Sequence, residues 1–359
     1  MFNRFFQDAV NAVGERHSSG EKLSNLIFPL KNKLSPNGSE TLILPVSSAK
    51  LSCRVAGIDS GFVQKKLSFL DLALVKTAGV VFDYSSGELK KAEYFPSAFS
   101  FPEPLLLKSG LERGEDAQSL SLVRLEKEIG CAVDVIKKFK PKYLFIDGSI
   151  VPQYQDRPRS DSLLNNDYCS VVSLFEKLYR TAEDNDCVLI ACVEDSRGTR
   201  FVEALKDEVI PSLGVHFDSS KLNGFFDAHL LDFCLFEGER TFAFNYSKDV
   251  SSHAILKDFS PQYSSSIFVF YLKPAKYDKP LRVEFICKNK EDLRVLADEI
   301  SSVVFSISSF HREYSFPSVL IEADLRAGLS EQEINVVYQR LIDRLGSKIR
   351  MRRTNRPFG

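Results

Sequence analysis

Two aspartates stand where a chain could do chemistry. Asp59 follows the apolar run Val55-Ala56-Gly57-Ile58 and precedes Ser60-Gly61, and Asp147 follows Leu144-Phe145-Ile146 and precedes Gly148-Ser149. The pattern predicts two buried strands, each ending on a carboxylate beside a glycine turn. There an acid can meet a ligand, whereas in mid-strand it would have to be neutralised in the core. Between them, from about Asp116 to Lys140, Leu122, Leu125, Ile129, Val133 and Ile136 recur at three- and four-residue steps, which predicts a helix with one apolar stripe. Glu126 aligns with Leu122, Ile129 and Val133, while Glu128 aligns with Leu125 and Ala132, so spacing leaves either facing the sheet edge. Carboxylates from two strand ends and one helix are hard oxygen ligands suited to Mg²⁺ or Mn²⁺. A pair of such ions activates a water and stabilises the leaving oxygen in phosphodiester hydrolysis. Asp-Ser-Gly and Asp-Gly-Ser are also ordinary turn sequences. What singles them out is their joint position, bracketing an acid-bearing helix.

The elements around these residues read as an α/β protein. A meander of three strands (Arg54 to Ile58, Phe69 to Phe82, and Glu88 to Phe95 after the Ser85-Ser86-Gly87 turn) leads into the helix. Pro141 closes that helix, and the strand Lys142 to Ile146, a helix from about Asn166 to Glu183 and the strand Cys187 to Val193 follow, an alternation typical of α/β sheets. Further strands are predicted at Arg240 to Tyr246, Ile267 to Leu272 and Leu281 to Cys287. Two helices, about Lys290 to Ser302 and Glu331 to Leu345, end the chain, the second opened by the capping box Ser330-Glu331-Gln332-Glu333. Residues 1–45 are expected to be an extension beginning with an amphipathic helix (Phe2, Phe5, Phe6, Ala9, Val13) that docks on the body or on a partner. Residues 46–347 form the main domain and 348–359 a tail rich in arginine.

Composition sets the outer limits. The 359 residues are 44% hydrophobic and 26% charged, with 47 basic and 48 acidic side chains, which excludes a wholly disordered chain. Net charge of −1 gives no bulk attraction to nucleic acid, so any such site must be local. Seven cysteines with no C-x-x-C pair read as buried thiols of a reducing compartment, and five scattered histidines argue against a histidine-built zinc site. No G-x4-G-K-[ST] sequence is present, which excludes a standard P-loop ATPase. Without an apolar run of 18 residues or a signal-like start, a soluble cytoplasmic protein without membrane association is expected.

These segments, in this order, resemble the NurA nuclease family. The resemblance runs from about Cys53 to Leu345, through Val55 to Gly61, Arg124-Leu125-Glu126-Lys127-Glu128, Leu144 to Ser149, Phe236-Glu237-Gly238-Glu239-Arg240, Phe270 to Lys273, Arg282 to Phe285, and Phe316 to Asp324. It implies a ribonuclease-H/PIWI-like mixed sheet flanked by helices, a homodimer, and a Mn²⁺-dependent (or Mg²⁺-dependent) DNA nuclease. The implied activity is that of a 5′–3′ exonuclease and single-strand endonuclease, working with the hexameric HerA ATPase in DNA end resection and recombinational repair. Carried over residue by residue, it makes Asp59 and Asp147 metal ligands, with Glu128 the helix ligand and Glu126 its alternative. Asp324 falls at a further metal-site position. The chain departs from some members in having Phe316 and Asp324 where they have Tyr and His, and Glu194-Asp195-Ser196-Arg197 where they have a Lys. Arg197 or Arg200 then takes over as a phosphate donor.

Other residues have weaker signals. Asp195 reads either as an acid supporting the site or as a turn residue. Arg157 and Arg159, in the loop after Asp147, are placed to meet a phosphate backbone, and Tyr154 beside them to stack on a base. A rival reading keeps the fold without the chemistry: a catalytically silent nucleic-acid-binding or adaptor subunit of a DNA translocase complex. Four carboxylates exceed what binding needs, since acids repel phosphate unless a metal intervenes.

Overall fold

Arg54 to Lys66 run as one continuous 13-residue strand, straight through the Asp-Ser-Gly sequence that predicted a turn. The reason is tertiary: every residue of it, Asp59 to Gly61 included, pairs with the following strand, so the backbone groups are satisfied without turning. The computed structural model describes residues 2–348 except 37, 39, 68–70, 108–110, 113, 213–217 and 309–310. The arginine-rich tail beyond Lys348 lies outside the described residues.

In chain order the strands are β1 (Ile43–Pro45), β2 (Arg54–Lys66), β3 (Asp71–Ser85), β4 (Glu88–Phe95), β5 (Glu103–Leu106), β6 (Tyr143–Asp147), β7 (Val188–Val193), β8 (Glu239–Thr241), β9 (Phe244–Asn245), β10 (Ile267–Lys273) and β11 (Leu281–Ile286). The longer helices are α1 (Phe2–Ile27), α2 (Glu115–Phe139), α3 (Asn165–Asp184), α4 (Asp227–Cys234), α5 (Leu293–Ser308), α6 (Ser318–Ala327) and α7 (Glu331–Leu345). The expected mixed sheet flanked by helices is present. Among the described residues no helix is long and apolar enough to cross a membrane.

The chain divides into two compact units, one of residues 1–50, 192–249 and 265–317, the other of residues 51–191, 250–264 and 318–359. In the first, β1, β8, β10 and β11 are neighbours in that order, antiparallel throughout, with β9 also on β10. The first half of α1 leaves Phe6, Val10 and Val13 exposed, while Leu23 and Ile27 in its second half join the core under β10. Arg240 is fully buried in this unit, where Glu40 and Asp298 neutralise it.

In the second unit the order is β7-β6-β2-β3-β4, with β5 also on β3; β2 pairs parallel with β6 and antiparallel with β3. This is the predicted meander followed by a parallel crossover through α2. The apolar stripe of α2 is broader than predicted, burying Cys131, Ala132 and Val135 as well, which closes one face of β2 and β3. On the other face lies α6, a helix the sequence did not announce: its Val-Leu-Ile start reads as strand and it has only ten residues. It sits unusually close because two alternate positions of β2 are glycines. A Cβ at Gly57 would lie 2.8 Å from the Val319 carbonyl oxygen, and one at Gly61 would lie 2.3 Å from that of Ala327. Since side chains alternate along a strand, Asp59, between these two glycines, shares their face and looks at α6, and Ser60 looks the other way.

Candidate metal centre

The face of β2 that admits α6 brings two acids together. Asp59, only 7% exposed, has its carboxyl within hydrogen-bonding reach of the Asp324 carboxyl on α6. Burial pushes the Asp59 carboxyl above the usual aspartate range, the negative charge of Asp324 raises it further, and the backbone N–H of Ser60 and the Arg124 guanidinium oppose the rise. Asp147 comes alongside through the parallel register. Ile58 pairs with Ile146, so the next residues, Asp59 and Asp147, are neighbours on adjacent strands and face the same side. Here β6 ends, turned by Gly148 at φ 94°.

The two glutamates of α2 differ in burial. Glu126 is exposed to solvent, whereas Glu128 is 1% exposed. Glu128 accepts hydrogen bonds from Ser60 Oγ and, at 2.8 Å, from Arg124 Nη1 one helical turn earlier; Arg124 also reaches Ser60 Oγ at 3.4 Å. Burial lifts the Glu128 carboxyl to about 7, with Arg124 and Ser60 pulling it down and Asp59 pushing it up. Sequence reasoning gave Arg124 and Ser60 no role. The i,i+4 spacing of Arg124 and Glu128 was the available signal for one; nothing local signals the other.

These residues fit a hard divalent cation. A buried Asp59 carboxylate facing the exposed one of Asp324 is a repulsion that a cation relieves, and carboxylate oxygens are the donors that Mg²⁺ and Mn²⁺ select. Among the described residues no three acid, histidine or cysteine side chains stand close enough to form a ready-made cage. Ions of this class keep several waters and use few protein ligands.

The same arrangement of strands and helices occurs in the crystal structure of the NurA nuclease from Sulfolobus solfataricus, at 14% sequence identity and a TM-score of 0.59, covering 97% of this chain and 99% of that one. The chain has the fold of a NurA nuclease. A crystal structure of NurA bound to dAMP and manganese aligns over 97% of this chain and 96% of that one, at 11% identity and a TM-score of 0.48. No protein-family model matches the sequence, and no curated protein does.

On this NurA fold the remaining predicted residues are spread over both units. Asp195, Arg197 and Arg200 belong to the other unit. Asp195 has a left-handed backbone (φ 33°) and an exposed carboxylate 2.6 Å from Lys279, which holds it below the usual range, so it is a paired turn residue. Arg200 is largely buried and paired with Glu208 at 3.1 Å, and Arg197 is exposed. In the same unit as the acids, Arg157 is half-buried against Asp258 at 3.0 Å, which also accepts from Tyr168 at 2.9 Å. Arg159 is exposed and paired with Glu112. Tyr154 is 77% exposed and, with Arg159, lines a groove that also contains Glu112, Glu115 and Asp156. The groove thus has three acids to its one arginine.

Proposed function

We propose that this chain is a metal-dependent DNA nuclease that hydrolyses phosphodiester bonds using Mn²⁺ or Mg²⁺. The observation that carries the reading is the facing pair Asp59 and Asp324 with Asp147 in register beside them, on a NurA fold. Asp59, Asp147 and Asp324 would hold the ion, and Glu128, whose charge burial opposes and Arg124 favours, would add its field from the α2 side when ionised. The chemistry such an ion supplies is activation of a water and stabilisation of the leaving oxygen. The protein's own share is to fix the acids on a paired strand and a tightly seated helix, so that little reorganisation remains when substrate arrives. Arg159, in an exposed pair of the kind worth little in water, can exchange Glu112 for a phosphate, while Tyr154 offers a ring to a base. Arg197, also exposed, is a second phosphate donor in this reading; Arg157 and Arg200 are held by acids. The resemblance adds the finer assignments of 5′–3′ exonuclease and single-strand endonuclease action, a homodimer, and a HerA-type hexameric translocase as partner in end resection.

The test is cleavage of an end-labelled single strand by the purified chain. Cutting is expected with Mn²⁺ and is expected to vanish in EDTA and return on adding back the ion. DNA bound equally well in EDTA and never cut with either ion would establish the silent adaptor in its place.

A further inference from the structure

The most exposed large apolar side chains of the described residues are Phe101, at 95%, and Phe99, at 82%, both in the loop between β4 and β5. Neither belongs to the site described above, and exposing two phenylalanines to water has no structural return. The sheet register fixes where this loop leaves the sheet. Phe95 pairs with Gly79 on β3, and Gly79 pairs with Ile58 on β2, so the loop departs at the rung next to that of Asp59, two strands away, about 10 Å at ordinary strand spacing. It stays on the same face as Asp59. Tyr94 Oη donates to Glu322 on α6 at 3.0 Å, and Arg326, two residues beyond Asp324, donates to the Ala98 carbonyl of the loop at 3.4 Å. The Arg326 guanidinium, fixed by Glu322 at 2.7 Å, lies 4.7 Å from the Tyr94 ring and 5.6 Å from the Phe99 ring. The helix that carries Asp324 thus also anchors an aromatic loop.

We infer that Phe99 and Phe101 are a stacking platform for unpaired nucleobases of a single strand whose phosphate lies at Asp59 and Asp324. The inference rests on the nuclease reading and names the form of substrate that reading would take. Two exposed rings separated by Ser100 and flanked by Pro96, Ala98 and Pro102 offer π-faces to a base. Stacking accepts any base, since every base has a π-face, and bases held in a duplex are unavailable to it. The loop leaves the sheet two strands from β2 and is tied to the helix that carries Asp324, so the bases engaged would be those near the scissile phosphate.

The experiment measures binding of a single-stranded oligodeoxynucleotide carrying the fluorescent base 2-aminopurine to the full chain with Ca²⁺ in place of Mn²⁺ or Mg²⁺, so that the acids do not repel the phosphate. Phe99→Ala and Phe101→Ala are each expected to weaken binding about 10-fold, or ~1.4 kcal/mol, and to abolish quenching of the fluorescent base, whereas Phe99→Trp and Phe101→Trp restore both. Binding of a blunt duplex is expected to stay unchanged. Single-strand affinity and quenching unaffected by the double alanine variant would overturn the inference, as would variants that alter only the mass measured by light scattering, which would mean that a second copy of the chain covers the loop. The two readings fail separately. A chain that never cuts DNA, yet loses single-strand binding in these variants, refutes the nuclease reading and keeps the platform; one that cuts normally with binding untouched does the reverse.

Discussion

Asp59→Asn is expected to lower cleavage by at least about 10³-fold while leaving the fold intact. An ion's polarisation of phosphate and water is worth several kcal/mol of barrier, and each 1.36 kcal/mol is tenfold in rate, so loss of the central ligand reaches that size. Structure is spared for a reason visible in the site. In the absence of metal the Asp59 carboxyl is opposed both by its burial and by Asp324, and asparagine keeps its shape while removing the charge. The unfolding midpoint in EDTA should therefore be unchanged or higher. The checks are single-turnover cleavage of a labelled strand with Mn²⁺ and a thermal melt of the same preparation. Substantial residual cleavage would remove Asp59 from the chemistry, and a lower melting temperature would mean that the aspartate holds the strand and α6 together.

The second large effect is on stability as a function of pH. Glu128 titrates near 7 in the folded chain against an ordinary 4.5, so between those values the folded state holds a proton that the unfolded state has released. Stability from this group is complete below about pH 4.5 and is lost as pH rises through 7. At 1.36 kcal/mol per pH unit the loss is about 3 kcal/mol. Asp59 adds to the decline with the same sign, its carboxyl being raised as well. Urea denaturation in EDTA from pH 5 to 8 is expected to show wild-type stability falling by that order, and Glu128→Gln with a much flatter profile and higher stability at pH 8. Arg124, about a quarter of whose side chain is exposed, can turn to water when it loses the carboxylate, so the glutamine variant does not strand a buried cation. Parallel profiles for the two proteins would show that Glu128 remains charged throughout. A more stable, less active Glu128→Gln protein is the usual relation between a strained acid and its function.

The parts of this architecture that depend on local pattern were legible. The stripe of α2, the proline after it, the Asp147-Gly148 turn and the capping box of α7 follow from spacing and turn chemistry, and the structure has them. Where tertiary pairing overrides local preference, reading the sequence failed. Asp59-Ser60-Gly61 has turn composition, but β3 continues beside it, so Gly61 serves close approach of α6 where a turn was expected. Helix α6 itself was hidden because its apolar residues are clustered in Val319 and Leu320 and its remaining contacts are alanines. As a result the chain appeared to end in two helices, where it has three. The choice between Glu126 and Glu128 was open because both lie beside the stripe, and only the packed helix separates the exposed one from the buried one. Asp324 could not be tied to Asp59 by any spacing rule, being brought there by the long-range seating of α6; resemblance alone suggested it. The partners of the loop basic residues were hidden for a related reason, since sequence shows charges but not the acids with which Arg157, Arg159 and Arg200 pair.

The central claim, that Asp59, Asp147 and Asp324 are the seat of a divalent ion, is tested most directly by an anomalous difference map from a crystal soaked in Mn²⁺. The account predicts a manganese peak between Asp59 and Asp324 with an oxygen of Asp147 in its coordination shell. A map with no peak at these carboxylates, or with manganese only at surface acids such as Asp195, would contradict it.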